Sequence, residues 1–261
     1  MRGMVVPADA MPDWMISPES TALCFAYLIC QKRRRMPFNI DWQSIDDVLL
    51  DMDGTLLDLH YDATFWLKNL HSIVAGITGD SEIDIRDRFR EELKKHEGTL
   101  VWYCTDYWAE FFGIDLIGAK KQLAHLIRFR PYAKQFLEAL QPLPLRTLIA
   151  TNAHPDVIQL KLDVVPLSEM VDGIVSSHQY GVAKEDPGFW TALFEDYSID
   201  PYRAVFMDDS SKVLEAADRA GVREIIEIRH PNLSEPPRTT WRQGIDDFDL
   251  LLPRLQALGH L

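Results

Sequence analysis

Short apolar runs recur along this chain at Val48–Leu50, Leu145–Ala150, Met170–Val175, Ala204–Met207 and Glu224–Ile228, and they constrain the fold more than any other feature. A strand that reads as an unbroken apolar run, rather than an alternating one, is buried on both faces, as in a parallel sheet. Between the later runs the periodicity is helical. Val157–Leu162 follows Pro155, Phe189–Tyr197 follows Pro187, and Val213–Ala220 ends at Gly221. Proline suits a first helical turn and glycine ends a last one. This alternation predicts an α/β fold with a doubly wound, Rossmann-like parallel sheet.

The interval after the first run is different. From about His60 to Ala139 the pattern is helical: Ile83–Lys95 is charged and amphipathic, Trp102–Phe112 aromatic, Gly118–Ile127 amphipathic again. About eighty residues is too long for a crossover loop. The sequence predicts a helical cap, 60–130, inserted between core segments 36–59 and 131–261, with Pro131–Leu140 returning the chain to the core. Pro231–Pro237 reads as irregular and Asp247–Leu258 as a short final helix.

Residues 1–35 stand apart. Thr21–Cys30 is apolar and is followed by Gln31-Lys32-Arg33-Arg34-Arg35. The run is about half of the ~20 residues a membrane helix needs. Its positive charge follows the apolar stretch, whereas a signal peptide places it before. The segment reads as a poorly ordered extension or a misplaced start, with a weak membrane-surface anchor as the less favoured alternative.

The chain has 261 residues and a net charge of −13, which argues against a nucleic-acid polymer as partner, because such polymers are held by Lys and Arg. The same charge repels a phosphorylated substrate unless a metal ion or a small basic pocket reverses the local field. Cys24, Cys30 and Cys104 are odd in number and have no Cys-x-x-Cys spacing, which fits a reducing, cytoplasmic setting. Cys104 reads as a buried, inert thiol. Oligomeric state is not legible.

Four polar clusters sit at the ends of apolar runs. Asp51-Met52-Asp53-Gly54-Thr55-Leu56-Leu57-Asp58 follows the first, and the carboxyl edge of an open α/β sheet is where ligands bind. A single Asp-x-Asp is commonly no more than a polar turn; the full octet is more specific. Thr151-Asn152 follows Leu148-Ile149-Ala150 and precedes Pro155, a setting that suits an anion or simply a helix cap. Lys184 lies between a strand and a helix, where a lone lysine is usually solvated. Asp208-Asp209-Ser210 follows Ala204–Met207. Four carboxylates gathered at ~4 Å would repel by about 4 kcal/mol per close pair at an effective dielectric near 20. Lys184 supplies one positive charge, too little for four acids, so a divalent cation is expected. Oxygen-only ligands favour Mg2+.

In this order, the four clusters resemble the motifs of the haloacid dehalogenase-like hydrolase superfamily, from Asn39 to the final helix. The resemblance implies that Asp51 is nucleophile and metal ligand, and that Asp53 is general acid and base, lending its carbonyl to the metal. It further implies that Thr151, Asn152 and Lys184 bind phosphate, and that Asp208 and Asp209 complete the metal site. The insertion after the first motif places the chain in the helical-cap branch, whose substrates are small and soluble. Asp41-Trp42-Gln43, Trp102-Tyr103-Cys104-x-Asp106-Tyr107-Trp108, Thr151–Pro155 and Lys184-Glu185-Asp186 are similar to bacterial purine nucleotidases acting on GMP and IMP. The implied partner is a nucleoside monophosphate, with no membrane involved.

Alternatives are a sugar-phosphate phosphatase or phosphomutase, or a non-catalytic binding protein of the same fold. Aromatic stacking on a purine contributes ~1–3 kcal/mol per base, but at helical spacing Trp102 and Phe111 are expected in the cap core rather than on a ligand. His60 and His154 flank the expected crevice.

Overall fold

The computed structural model describes residues 40–240 and 242–258, so the expectation for residues 1–35 lies outside the described residues. Six parallel strands, β1 (Asp47–Leu50), β2 (Arg146–Thr151), β3 (Gly173–Ser176), β4 (Ala204–Asp208), β5 (Glu224–Ile228) and β6 (Gly244–Ile245), lie in the order β3-β2-β1-β4-β5-β6. Every residue of β1 is buried, as a strand between two parallel neighbours must be. Leu50 is in register with Ile149 on one side and Met207 on the other, so the chain leaves all three strands at one rim.

Helices α7 (Pro155–Leu162), α8 (Pro187–Tyr197) and α9 (Ser211–Arg219) follow β2, β3 and β4. Phe189, Trp190 and Leu193 of α8 and Val213, Leu214 and Ala217 of α9 pack with Leu49, Leu148 and Phe206 in one core. The predicted strand at Met170–Val175 starts later, at Gly173, because Leu167–Glu169 turns as a 3-10 helix first. β6 has two residues and was not predicted. The final helix, α10, covers Leu252–Leu258 and is preceded by a 3-10 turn at Phe248–Leu250.

Between β1 and β2 come α1 (His60–Thr64), a π-helical turn (Phe65–Asn69), α2 (Leu70–Thr78), α3 (Glu82–Lys95), α4 (Thr105–Phe112), α5 (Leu116–Lys121) and α6 (Ala133–Leu140). The helices before α6 have a core of their own, with Phe65, Leu70, Phe89, Trp108, Phe112 and Leu116 buried together. Two predicted helices are shorter than expected. The aromatic run breaks at Cys104, where a 3-10 turn, Leu100–Tyr103, closes on the Val101 carbonyl before α4 begins. The amphipathic stretch from Gly118 splits into α5 and a 3-10 turn at Ala124–Leu126.

The two crossings into this insertion run side by side. Asp58 N–H donates to Arg128 O at 3.0 Å, Arg130 N–H donates to Leu56 O at 2.9 Å, and Leu57 bridges Phe129. Arg130 is fully buried and binds the Thr55, His230 and Asp246 carbonyls. No helix among the described residues is long and apolar enough to cross a membrane.

Candidate active site

The residues singled out in the sequence meet at the carboxyl rim of β1, β2 and β4. Asp51 directly follows β1, and its N–H donates to Met207 O of β4 at 2.9 Å. Lys184, in the loop before α8, lays Nζ on Asp51 Oδ1 at 2.5 Å, Asp208 Oδ2 at 2.7 Å and the Ala150 carbonyl at 2.9 Å. Asn152 Oδ1 accepts the Lys184 N–H, while its Nδ2 donates to Glu185. Trp190 Nε1 donates to the Lys184 carbonyl. The loop is therefore tied down on three sides, and the lysine is buried rather than solvated. Thr151 ends β2, where its hydroxyl accepts the Ala153 N–H at 3.1 Å.

Asp51, Asp208 and Asp209 place carboxylate oxygens within 4.8 Å of one another. Asp208 has both oxygens engaged, one by Lys184 and one by the Ser210 N–H. Among the described residues, the Asp209 carboxylate has only the half-exposed Arg238 guanidinium at 3.5 Å. Burial pushes the Asp51 carboxyl up to about 7; Lys184 opposes this, and Asp208 and Asp53 add to it. Burial and Asp51 push Asp209 up to about 7, and burial pushes Asp208 up to about 6 against the pull of Lys184.

The expectation of a single compensating lysine is corrected here. Asp53 Oδ1 accepts from Lys161 Nζ of α7 at 2.5 Å. Lys161 also holds Asp62 Oδ2 at 2.7 Å, and Asp62 Oδ1 takes Lys120 of α5 at 2.8 Å. Both lysines are buried. Burial would raise Asp62, but Lys120 and Lys161 hold it below the ordinary carboxylate range. Burial likewise raises Asp53, more than Lys161 lowers it. Lys161 shares a helical face with Val157 and Ile158, and Lys120 with Leu116 and Ile117. A charge on an apolar stripe was the available signal. Five carboxylates (Asp51, Asp53, Asp62, Asp208, Asp209) against three lysines leaves two negative charges over, with Arg238 at the rim.

That excess and the all-oxygen donor set of Asp51, Asp208 and Asp209 fit a hard divalent cation. A raised native pKa means that the folded state holds protons the unfolded chain has already released. Without a cation, the fold therefore loses stability as pH rises from about 4 to about 7. Saturating magnesium is expected to raise the thermal midpoint by ~5–10 °C at about pH 8 and far less at about pH 5, read by thermal unfolding.

Gly54 keeps this cluster tight. Its φ is +88°, and a Cβ there would stand 2.9 Å from Asp209 Cγ. Gly54→Ala is expected to cost ~1–3 kcal/mol and to weaken the magnesium effect, both measured in the same melts.

The rim opens into a cavity of about 470 Å³. Asp51, Asp53, Thr151 and Lys184 line its floor, and Trp66, Phe89, Leu93, Trp102, Tyr103 and Trp108 line the insertion side. Trp102 stands outside the insertion core, unlike its expected place there, whereas Phe111 packs against that core as predicted. Tyr103 Oη donates to Glu185 Oε1 at 2.6 Å, joining insertion to core beside Lys184. His154 lines the cavity. His60 instead faces Ser234 and Thr64.

Acids at the end of a central parallel strand, a buried lysine on them and a further acid pair from the neighbouring strand define an α/β enzyme with a polar floor beneath an apolar wall. The chain belongs to the haloacid dehalogenase-like hydrolase family, whose profile matches residues 45–221. It is 34% identical over 221 residues to the GMP/IMP nucleotidase YrfG of Escherichia coli (strain K12), covering 84% of this chain and all of that protein. It is 24% identical to a phosphorylated carbohydrates phosphatase of Thermotoga maritima, covering 71% of this chain and 86% of that one. A HAD phosphatase from Thermococcus onnurineus shares the fold, with a TM-score of 0.67 at 20% identity over 82% of this chain and 99% of that chain.

Proposed function

We propose that this hydrolase is a magnesium-dependent phosphatase that takes a purine nucleoside monophosphate such as GMP or IMP, with residues 60–130 acting as the cap over its cavity. The observation that carries the reading is Asp51, pinned on Oδ1 by Lys184 at the floor of a cavity whose opposite wall is aromatic. A purine presents a flat face that such a wall can stack. The E. coli relative named for GMP and IMP supports the same substrate.

In this reading the second oxygen of Asp51 attacks phosphorus. The phosphorus–ester oxygen bond breaks, and Asp53 delivers its proton to the departing nucleoside oxygen. Water then attacks phosphorus in the aspartyl phosphate and gives a proton to Asp53, releasing phosphate and restoring Asp51. Lys184, the Thr151 hydroxyl and the Asn152 backbone amide hold the phosphoryl oxygens, since the Asn152 side chain is committed to Lys184 and Glu185. Asp51, Asp208 and Asp209 would hold a magnesium ion, which when bound would supply positive charge for the phosphoryl group. The freer oxygens of Asp209 suit direct coordination better than those of Asp208.

Initial rates of phosphate release over a panel of nucleoside monophosphates and sugar phosphates, with and without magnesium, test the assignment. Preference for GMP or IMP is expected. A clear hexose-phosphate preference would replace the nucleotide, and metal-independent turnover would remove the magnesium.

A further inference from the structure

On the His154 side of the cavity, three metal-ligating side chains from separate stretches of sequence come together, and the phosphatase reading uses none of them. Cys104 closes the 3-10 turn before α4, His154 caps α7, and His178 sits in the turn after β3. A sulfur and two imidazole nitrogens from these residues lie within 4.8 Å of one another. The two histidine rings stand edge to face, with centroids 4.8 Å apart. The cysteine is half-buried, not sealed in the core as its sequence setting predicts.

A second observation points independently to a ligand. His178 Nε2 is buried and makes no hydrogen bond of ordinary geometry among the described residues, although the Asn152 and Tyr103 backbones lie near the ring. A buried polar atom left without such a bond normally meets water or an ion. The surroundings of His154 suit the same role. Its Nδ1 accepts the Asp156 N–H at 3.4 Å, a weak contact, and lies 3.7 Å from the Asp156 carboxylate. Its Nε2 is 3.5 Å from the Asp106 carboxylate. Nε2 can bind a cation once the weak Asp156 N–H contact is given up and the Asp156 carboxylate holds a proton on Nδ1, the arrangement that orients ligating imidazoles.

We propose that Cys104, His154 and His178 form a binding site for a thiolate- and imidazole-preferring divalent cation of the zinc class, sharing no residue with the carboxylate cluster. One thiolate and two imidazoles are the donors zinc selects and magnesium does not. Three protein ligands leave a fourth position for water or for Asp106. Binding releases the Cys104 proton to solvent, so affinity rises with pH. Because Cys104 comes from the insertion and both histidines from the core, the ion joins the two at the cavity's edge.

The test is a titration of the full chain, freed of metal and kept in excess magnesium, with cobalt(II). The expected result is a sulfur-to-cobalt charge-transfer absorption that saturates at equimolar cobalt, is displaced by zinc and is indifferent to magnesium. It is lost in Cys104→Ser and weakened in His178→Gln. No such absorption in the unmodified protein, or an undiminished one in Cys104→Ser, overturns the proposal; Cys24 and Cys30 make that variant necessary. Should the variants misfold, residue-resolved alkylation of the unmodified protein answers in their place. Equimolar zinc is expected to slow alkylation of Cys104, followed by peptide mass, at least about tenfold, because only a free thiolate reacts. An unchanged rate rejects the site. Neither readout depends on phosphatase turnover, so failure here is distinct from failure of the phosphatase reading.

Discussion

Asp51→Asn is expected to lower magnesium-dependent phosphate release by at least about 10⁴-fold, since it removes the proposed nucleophile and leaves only binding and electrostatic stabilisation. Its effect on stability should run the other way. Burial and neighbouring acids push Asp51 up to about 7, so ionising it costs the native state, and the amide avoids that cost. In metal-free buffer at about pH 8 the variant should melt no lower than the parent. Loss of turnover with an intact melt would assign the defect to chemistry, whereas undiminished turnover would sink the aspartyl-phosphate mechanism.

The second large effect is expected at Lys161. Lys161→Met leaves Asp53 without its ion-pair partner and Asp62 with Lys120 alone. Removing one partner from a buried ion network costs ~3–5 kcal/mol, which for a chain of this size lowers the thermal midpoint by roughly 6–20 °C. Activity should carry a signature that mere destabilisation lacks. In the proposed mechanism phosphoryl transfer needs Asp53 protonated, and Lys161 pulls its pKa down. Without the lysine the pKa rises further, so the basic limb of the kcat/KM profile should move to higher pH. A profile reduced in height but unmoved would make Lys161 a purely structural residue.

The fold was legible because a parallel sheet writes itself plainly. β1, β2 and β4 are buried on both faces, so Leu49, Ile149 and Phe206 sit in unbroken apolar runs, and the polar residue ending each run falls at the rim. Asp51, Thr151 and Asp208 could be found for that reason. Lys184 was legible by its place in the topology, although its burial was not. Lys161 and Lys120 were missed because their partners, Asp53 and Asp62, are distant in sequence and meet them only when α7 and α5 pack beside α1. Cys104 was misread for a similar reason: the break in the aromatic run turns it toward two histidines that no spacing rule connects to it. Trp102 sits on the cavity wall because that same break takes it out of the helix whose periodicity assigned it to the core.

The paired crossings at Leu56–Asp58 and Arg128–Arg130 have a consequence for engineering. Two short backbone segments, cross-linked to each other and pinned by a buried arginine, carry both covalent crossings between sheet and insertion. Chimeras with relatives should therefore tolerate grafts made outboard of this ribbon, after Asp58 and before Arg128. Junctions cut through it would sever the Arg130 clasp and unseat the acid-bearing loop on which any transplanted specificity depends.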